Sequence, residues 1–165
     1  MKSQNQDHVV FEFNKITPNI YLGTNICCKT HFDAKLLKKG VTLDVSLEGE
    51  RVDRPNGVNY FLWVPTRDHT APSIAKLSMG VHAMREAIDA GEKVYVHCKN
   101  GHGRAPTMVC AYLIAEKGMG VDEAIAYIKK RRPEVHLEPS QSKRLRAWAK
   151  DYLTHMSETM SAKRK

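Results

Sequence analysis

The chain has 165 residues, enough for one domain with a sizeable core, and 42% of them are hydrophobic. Lys and Arg number 26 against 18 Asp and Glu, a formal charge of +8, which favours acidic partners such as phosphorylated groups, anionic lipid surfaces or nucleic acid. No apolar run approaches the ~20 residues of a membrane span, and the start, MKSQNQDHVV, is too polar for a secretory signal; the four cysteines are therefore expected as thiols in a reducing cytoplasm.

Taken in order, VVFEF (9–13) and NIYLG (19–23) read as short strands. The adjacent Cys27 and Cys28 have no partner pair at metal-ligand spacing. AKLLKKG reads as a helix that stops at Gly40, and VTLDVSL (41–47) and NYFLWVP (59–65) as strands separated by the turn-rich loop EGERVDRPNG. The stretch 73–91 has helical periodicity, with Ser73 as N-cap and Gly91 as stop. KVYVHC (93–98) is a short apolar strand, and helices are predicted over 104–117, 121–132 and 139–156. Strands alternating with helices, then a helical block, imply an α/β fold: a mixed, mostly parallel sheet with helices on both faces. Residues 1–156 form the expected single domain, and 157–165, ending in AKRK, a disordered basic tail. KKRRP (129–133) reads as a solvated helix end.

The stretch VYVHCKNGHGRAPTMV (94–109) carries the chemistry. A strand ending in Cys98 and a helix beginning at Arg104 leave a loop at a helix N-terminus. Gly101 and Gly103 let that loop curl, so that successive backbone N–H groups point inward as an anion nest. The helix terminus adds unsatisfied donors and the positive end of its dipole. A cysteine facing that nest is stabilised as thiolate, and Arg104 offers two parallel donors to phosphate oxygens. This combination points to a phosphate-monoester site that needs neither metal nor cofactor. A nucleotide-binding P-loop would need Gly-Lys-Ser/Thr where Gly103-Arg104-Ala105 stands, and a dinucleotide fingerprint would need a third glycine. Cys110, within TMVCAYLI, reads as a packed thiol.

HCKNGHGR resembles the His-Cys-five-residues-Arg signature of the cysteine-dependent protein tyrosine phosphatases, and from about ITPNIYLG through EPSQ the chain is similar to their compact dual-specificity branch. The resemblance implies a central sheet of about five strands flanked by helices. It implies Cys98 as nucleophile, Arg104 as phosphate clamp, a phosphate-binding loop of Lys99, Asn100, Gly101, His102, Gly103 and Arg104, and His97 as its support. The family also uses an upstream aspartic acid as general acid and then base. Asp68 in WVPTRDHTAPS lies on a loop after a strand and is the candidate, while Asp44 and Asp53 read as structural or solvated. Its PTRD block resembles that of a lipid-active subgroup. Lys99 and His102 are expected at the rim, accepting an anionic substrate, and Gln141 as an exposed helix residue. Most family members carry Ser or Thr after the arginine; here Ala105 and Pro106 follow, as in glucan-phosphatase members. Such a chain would act as a dual-specificity (Tyr and Ser/Thr) protein phosphatase, with a lipid phosphatase for phosphoinositide or phosphatidylglycerophosphate as the alternative. RNA triphosphatase, glucan phosphatase and a non-catalytic phosphate-binding module are weaker readings, and nucleic acid is not the expected partner.

Overall fold

The computed structural model describes residues 9–26 and 31–162; Cys27 and Cys28 lie outside them. A five-stranded sheet runs in the order β1-β2-β5-β3-β4. The strands are β1 (Phe13–Lys15), β2 (Ile20–Gly23), β3 (Val41–Glu48), β4 (Tyr60–Thr66) and β5 (Lys93–His97). All neighbours are parallel except β1 against β2. The helices are α1 (Ala34–Lys38), α2 (Ile74–Asp89), α3 (Arg104–Lys117), α4 (Val121–Lys129) and α5 (Pro139–Ala162).

The period-2 alternation of β5 sorts its side chains between two cores. Val94, Val96 and then Cys98 pack into the large cluster beneath the later helices. Tyr95 points into the smaller cluster with Tyr21, Phe32 and Leu36, on the other face. In α2 the buried positions Leu77, Gly80, Val81 and Met84 keep the i, i+3, i+4, i+7 spacing of a one-sided helix, and Ser73 caps it by accepting from the Lys76 N–H. Helix α3 is buried from Arg104 through Ile114, because the sheet lies on one side and α2, α4 and α5 pack around the rest. Its N-terminus, and therefore the end of β5, sits at the centre of the fold. Among the described residues no helix is long and apolar enough to cross a membrane.

Three boundaries differ from the sequence reading. The first strand lies at 13–15, not 9–13, because the turn at 16–19 sets Phe13 opposite Gly23 and Lys15 opposite Tyr21; pairing with β2 outweighs the β-propensity of VVFEF. Helix α4 ends at Lys129, since Pro133 disfavours helix before it and the N–H groups of Arg131 and Arg132 both bond to the Ile128 carbonyl in a tightened last turn. Helix α5 continues to Ala162, so 157–162 is helical where a disordered tail was expected.

Candidate active site

The loop from Cys98 to Arg104 is shaped by two close approaches. Gly101 has φ 67°, and a Cβ there would lie 2.4 Å from the Gly23 carbonyl oxygen at the end of β2; only glycine fits. A Cβ on Gly103 would meet the Gln141 amide at 2.6 Å. Arg132 ties down two loop carbonyls: its Nε donates to that of Gly101 (3.1 Å) and its Nη2 to that of Asn100 (3.1 Å). Arg132 also donates to Asn14 Oδ1 and Glu12 Oε1, both at 2.8 Å. This side chain is 1% exposed, so it is a strut of the loop, and the solvated reading of KKRRP is corrected at this position. Arg131 lies 3.5 Å over the Tyr127 ring.

Cys98 is a buried free thiol that lines a cleft with Asp68, His69, Asn100, His102, Gly103, Arg104, His136, Glu138 and Gln141. The cleft holds ≈ 60 Å³, far below the ~300–1,000 Å³ of drug-sized ligand sites; it fits a single small tetrahedral anion. Arg104 is buried at its floor. Its Nη1 donates to both Glu50 carboxylate oxygens (2.8 and 3.1 Å) and to the Thr66 carbonyl (2.7 Å), while Nη2 lies 3.0 Å from Asp68 Oδ1. Burial alone would lower its pKa; Glu50, with the Cys98 and Asp68 charges, outweighs that and shifts it upward. Glu50 is the converse: burial raises its pKa, but the Arg104 hydrogen bond prevails and holds it below the ordinary value. The buried Nε of Arg104 makes no hydrogen bond among the described residues. The guanidinium edge formed by Nε and Nη2 can therefore take two phosphate oxygens once Asp68 releases Nη2.

His97, expected as a support of the loop, meets Asp44, Asp53 and Tyr95, and among the described residues neither of its ring nitrogens hydrogen-bonds the loop. It is fully buried, stacked on Tyr95 at 5.3 Å, with Nε2 3.2 Å from Asp44 and 3.5 Å from Asp53. Burial pulls its pKa down, yet Asp44, Asp53 and Glu48 more than offset this and the net direction is upward. Arg51 holds Asp53 at 2.6 Å, and Asn25 donates to both oxygens of the buried Glu48. Asp44 and Asp53, read as structural or solvated, are buried partners of His97.

Other positions diverge from expectation. Gln141 is 1% exposed: its Oε1 accepts from the Glu138 N–H and its Nε2 donates to the Thr70 carbonyl. EPSQ is a helix start, with proline in the first turn and a glutamine reaching back to the backbone, a signal that foretells an occupied Gln141. Asn100 and His102 line the cleft, but Lys99 does not; it is half-buried, and its carbonyl accepts from the Asn25 N–H. The His102 ring lies 5.3 Å from His136, and burial, then Arg132 and His136, lower its pKa. Ala105 is fully buried, and the Thr107 hydroxyl donates back to the Gly103 carbonyl rather than lining the cleft. Glu50, His69, Arg132, His136 and Glu138 were not singled out; each joins the site through a partner remote in sequence.

Residues 20–151 match the model of the family described as dual specificity phosphatase, catalytic domain. Over 83 residues the chain is 43% identical to phosphatidylglycerophosphate phosphatase PTPMT2 of Arabidopsis thaliana, covering 50% of this chain and 36% of that protein. It is 31% identical to human dual specificity phosphatase 28 over 127 residues, 76% of this chain and 70% of the relative. The crystal structure of PTPMT1 in complex with PI(5)P superposes with a TM-score of 0.77 at 28% identity, over 87% of this chain and 98% of the other. Several curated relatives are longer proteins, of which the matched segment covers well under two thirds.

Proposed function

The chain belongs to the dual-specificity phosphatase catalytic-domain family, and on that footing we propose that it hydrolyses phosphate monoesters through a cysteinyl-phosphate intermediate. The observation that carries the proposal is the convergence of Cys98, Arg104 and Asp68 on one anion-sized cleft. The substrate phosphate takes Nε and Nη2 of Arg104 and the loop N–H groups, displacing Asp68 from the guanidinium. The Cys98 thiolate attacks phosphorus; the ester P–O bond breaks as Asp68 gives its proton to the leaving oxygen. Water then attacks the phosphocysteine, Asp68 takes a proton from it, and the P–S bond breaks to return the thiolate and free phosphate. Gly101, Gly103 and Arg132 keep the nest in shape. A reducing, cytoplasmic setting suits a nucleophile that works only as a thiol.

The small cleft supports substrates with an accessible phosphate, Tyr and Ser/Thr phosphoproteins among them. A lipid substrate is the second reading, favoured by the 43% identity to a phosphatidylglycerophosphate phosphatase and by the +8 charge, since each Lys or Arg near an anionic bilayer contributes ~1 kcal/mol. The test is a panel of phosphotyrosine peptide, phosphothreonine peptide, phosphatidylglycerophosphate vesicles and triphosphate RNA. Each is run with the parent, Cys98→Ser and Asp68→Ala. Cys98→Ser should abolish turnover and keep phosphate-analogue binding. Asp68→Ala should cost ~10²–10⁴-fold on poor leaving groups and much less on good ones. Turnover that survives Cys98→Ser would sink the mechanism, and the preferred panel member decides between the two substrate readings.

A further inference from the structure

The loop 67–70, between β4 and α2, carries Asp68 and is tied to the start of α5 at two points. His69 Nδ1 lies 3.1 Å from Glu138 Oε1, and the Gln141 amide donates to the Thr70 carbonyl at 3.0 Å. His69 is the only non-glycine residue at positive φ (56°) among those described, a left-handed conformation that an L side chain rarely takes. It turns the imidazole outward to Glu138 while Asp68 faces inward to Arg104. The Asp68 N–H is held by Glu50 Oε1 at 3.0 Å. The acid-bearing loop is thus fastened to the cleft floor through Asp68 and to α5 through its two neighbours.

We propose that the His69–Glu138 contact is a proton-dependent latch, with His69 a positioning residue that keeps Asp68 over the cleft when substrate takes Arg104 away from it. The proposal rests on Asp68 being the general acid. Once phosphate occupies Nη2, Asp68 loses its 3.0 Å partner, and the outer ties must hold the loop in place. An imidazolium donates a charge-assisted bond to Glu138, roughly twice as strong as the neutral imidazole's. The groups facing His69 are Glu138 at the head of α5, Asp68 at 3.9 Å on its own loop, and Arg104 of α3. The first two raise its pKa, Glu138 most, against a smaller opposing effect of Arg104. A raised imidazole pKa means that the latch is complete below the ordinary value of ~6.5 and is lost as pH climbs through the raised one. His69 is 79% exposed, so solvent screening keeps the effect small, about twofold to fivefold in rate.

The test measures kcat/KM between about pH 5.5 and 8.5, spanning the imidazole range, with a phosphothreonine peptide and with a nitrophenyl phosphate. The proteins are the parent, His69→Asn, Glu138→Gln, the double variant and His69→Lys. Asparagine tolerates the left-handed backbone, so His69→Asn removes the titrating charge without refolding the loop. The parent should exceed His69→Asn by about twofold to fivefold at the acid end on the peptide, converging at the alkaline end. The difference should be smaller on the nitrophenyl ester, accompanied by only a small fall in thermal midpoint confined to the acid end, and no larger in the double variant than in either single one. His69→Lys should restore the rate and flatten its pH dependence. A ratio independent of pH, an equal loss on both substrates, or additive single losses would overturn the latch. Asp68→Ala measured alongside separates the two claims: without leaving-group dependence there, the acid assignment fails; with it, and no His69 effect, only the latch fails.

Discussion

Replacing Arg132 by methionine keeps most of the volume of a buried side chain and removes its donors. The guanidinium makes four hydrogen bonds, to the carbonyls of Asn100 and Gly101, to Asn14 and to Glu12. Glu12 is half exposed and recovers water when released, so its share is discounted. The buried Gly101 carbonyl stripped of its donor costs ~1–3 kcal/mol, and the part-buried bonds to Asn100 and Asn14 are worth ~0.5–1.5 kcal/mol each. The sum is a loss of about 2–6 kcal/mol, which for a domain of this size lowers the melting midpoint by roughly 4–24 °C. Function should fall further than stability. A free Asn100 or Gly101 carbonyl can rotate into the nest, where its negative end opposes the anion. Urea melts of parent and Arg132→Met, with and without inorganic phosphate, read both effects: the variant should lose stability and also most of the phosphate-induced gain. Stability within 1 kcal/mol of the parent, together with an unchanged phosphate gain, would refute the strut.

Arg104→Lys keeps the charge but cannot bridge Glu50, the Thr66 carbonyl and Asp68 at once; most turnover should vanish, and near-parent kcat would disprove a bidentate clamp. No hydroxyl at Ala105 or Thr107 aids departure of the thiolate, a contribution of ~1.5–3 kcal/mol when present, so phosphoenzyme breakdown should limit turnover on good leaving groups. Rapid mixing should then show a burst close to the enzyme concentration that Ala105→Ser shrinks, and a linear course unchanged by serine would refute this. His97, with its pKa net raised, contributes stability that is complete below the ~6.5 of an unfolded imidazole and lost as pH rises through the folded value. Urea midpoints of the parent should decline above neutrality more than those of His97→Asn, and parallel declines would place the titration elsewhere.

The gathering of Cys98, Gly103 and Arg104 on one cleft was legible because these residues are neighbours in the chain, joined by one short loop. The same holds for the Ser73 cap and the apolar period of α2, which depend on residues within a turn or two. Asp68 was reachable because the loop after β4, an edge strand that runs parallel to β3 and β5, must emerge at the same end of the sheet as Cys98. What only the tertiary structure decided is who meets these residues from far away. Glu50 reaches Arg104 across 54 positions, and Gln141 reaches Thr70 across 71. In sequence Arg132 and Gln141 stand in polar, helix-flanking stretches and read as solvated. A polar side chain carries no local mark of burial; that depends on which elements the sheet order β1-β2-β5-β3-β4 gathers around the end of β5. Those contacts also reversed the reading of Lys99, whose carbonyl is taken by Asn25 while its side chain stays out of the cleft. The sheet order likewise put the first strand at 13–15, where antiparallel pairing with β2 prevailed over the apolar run before it.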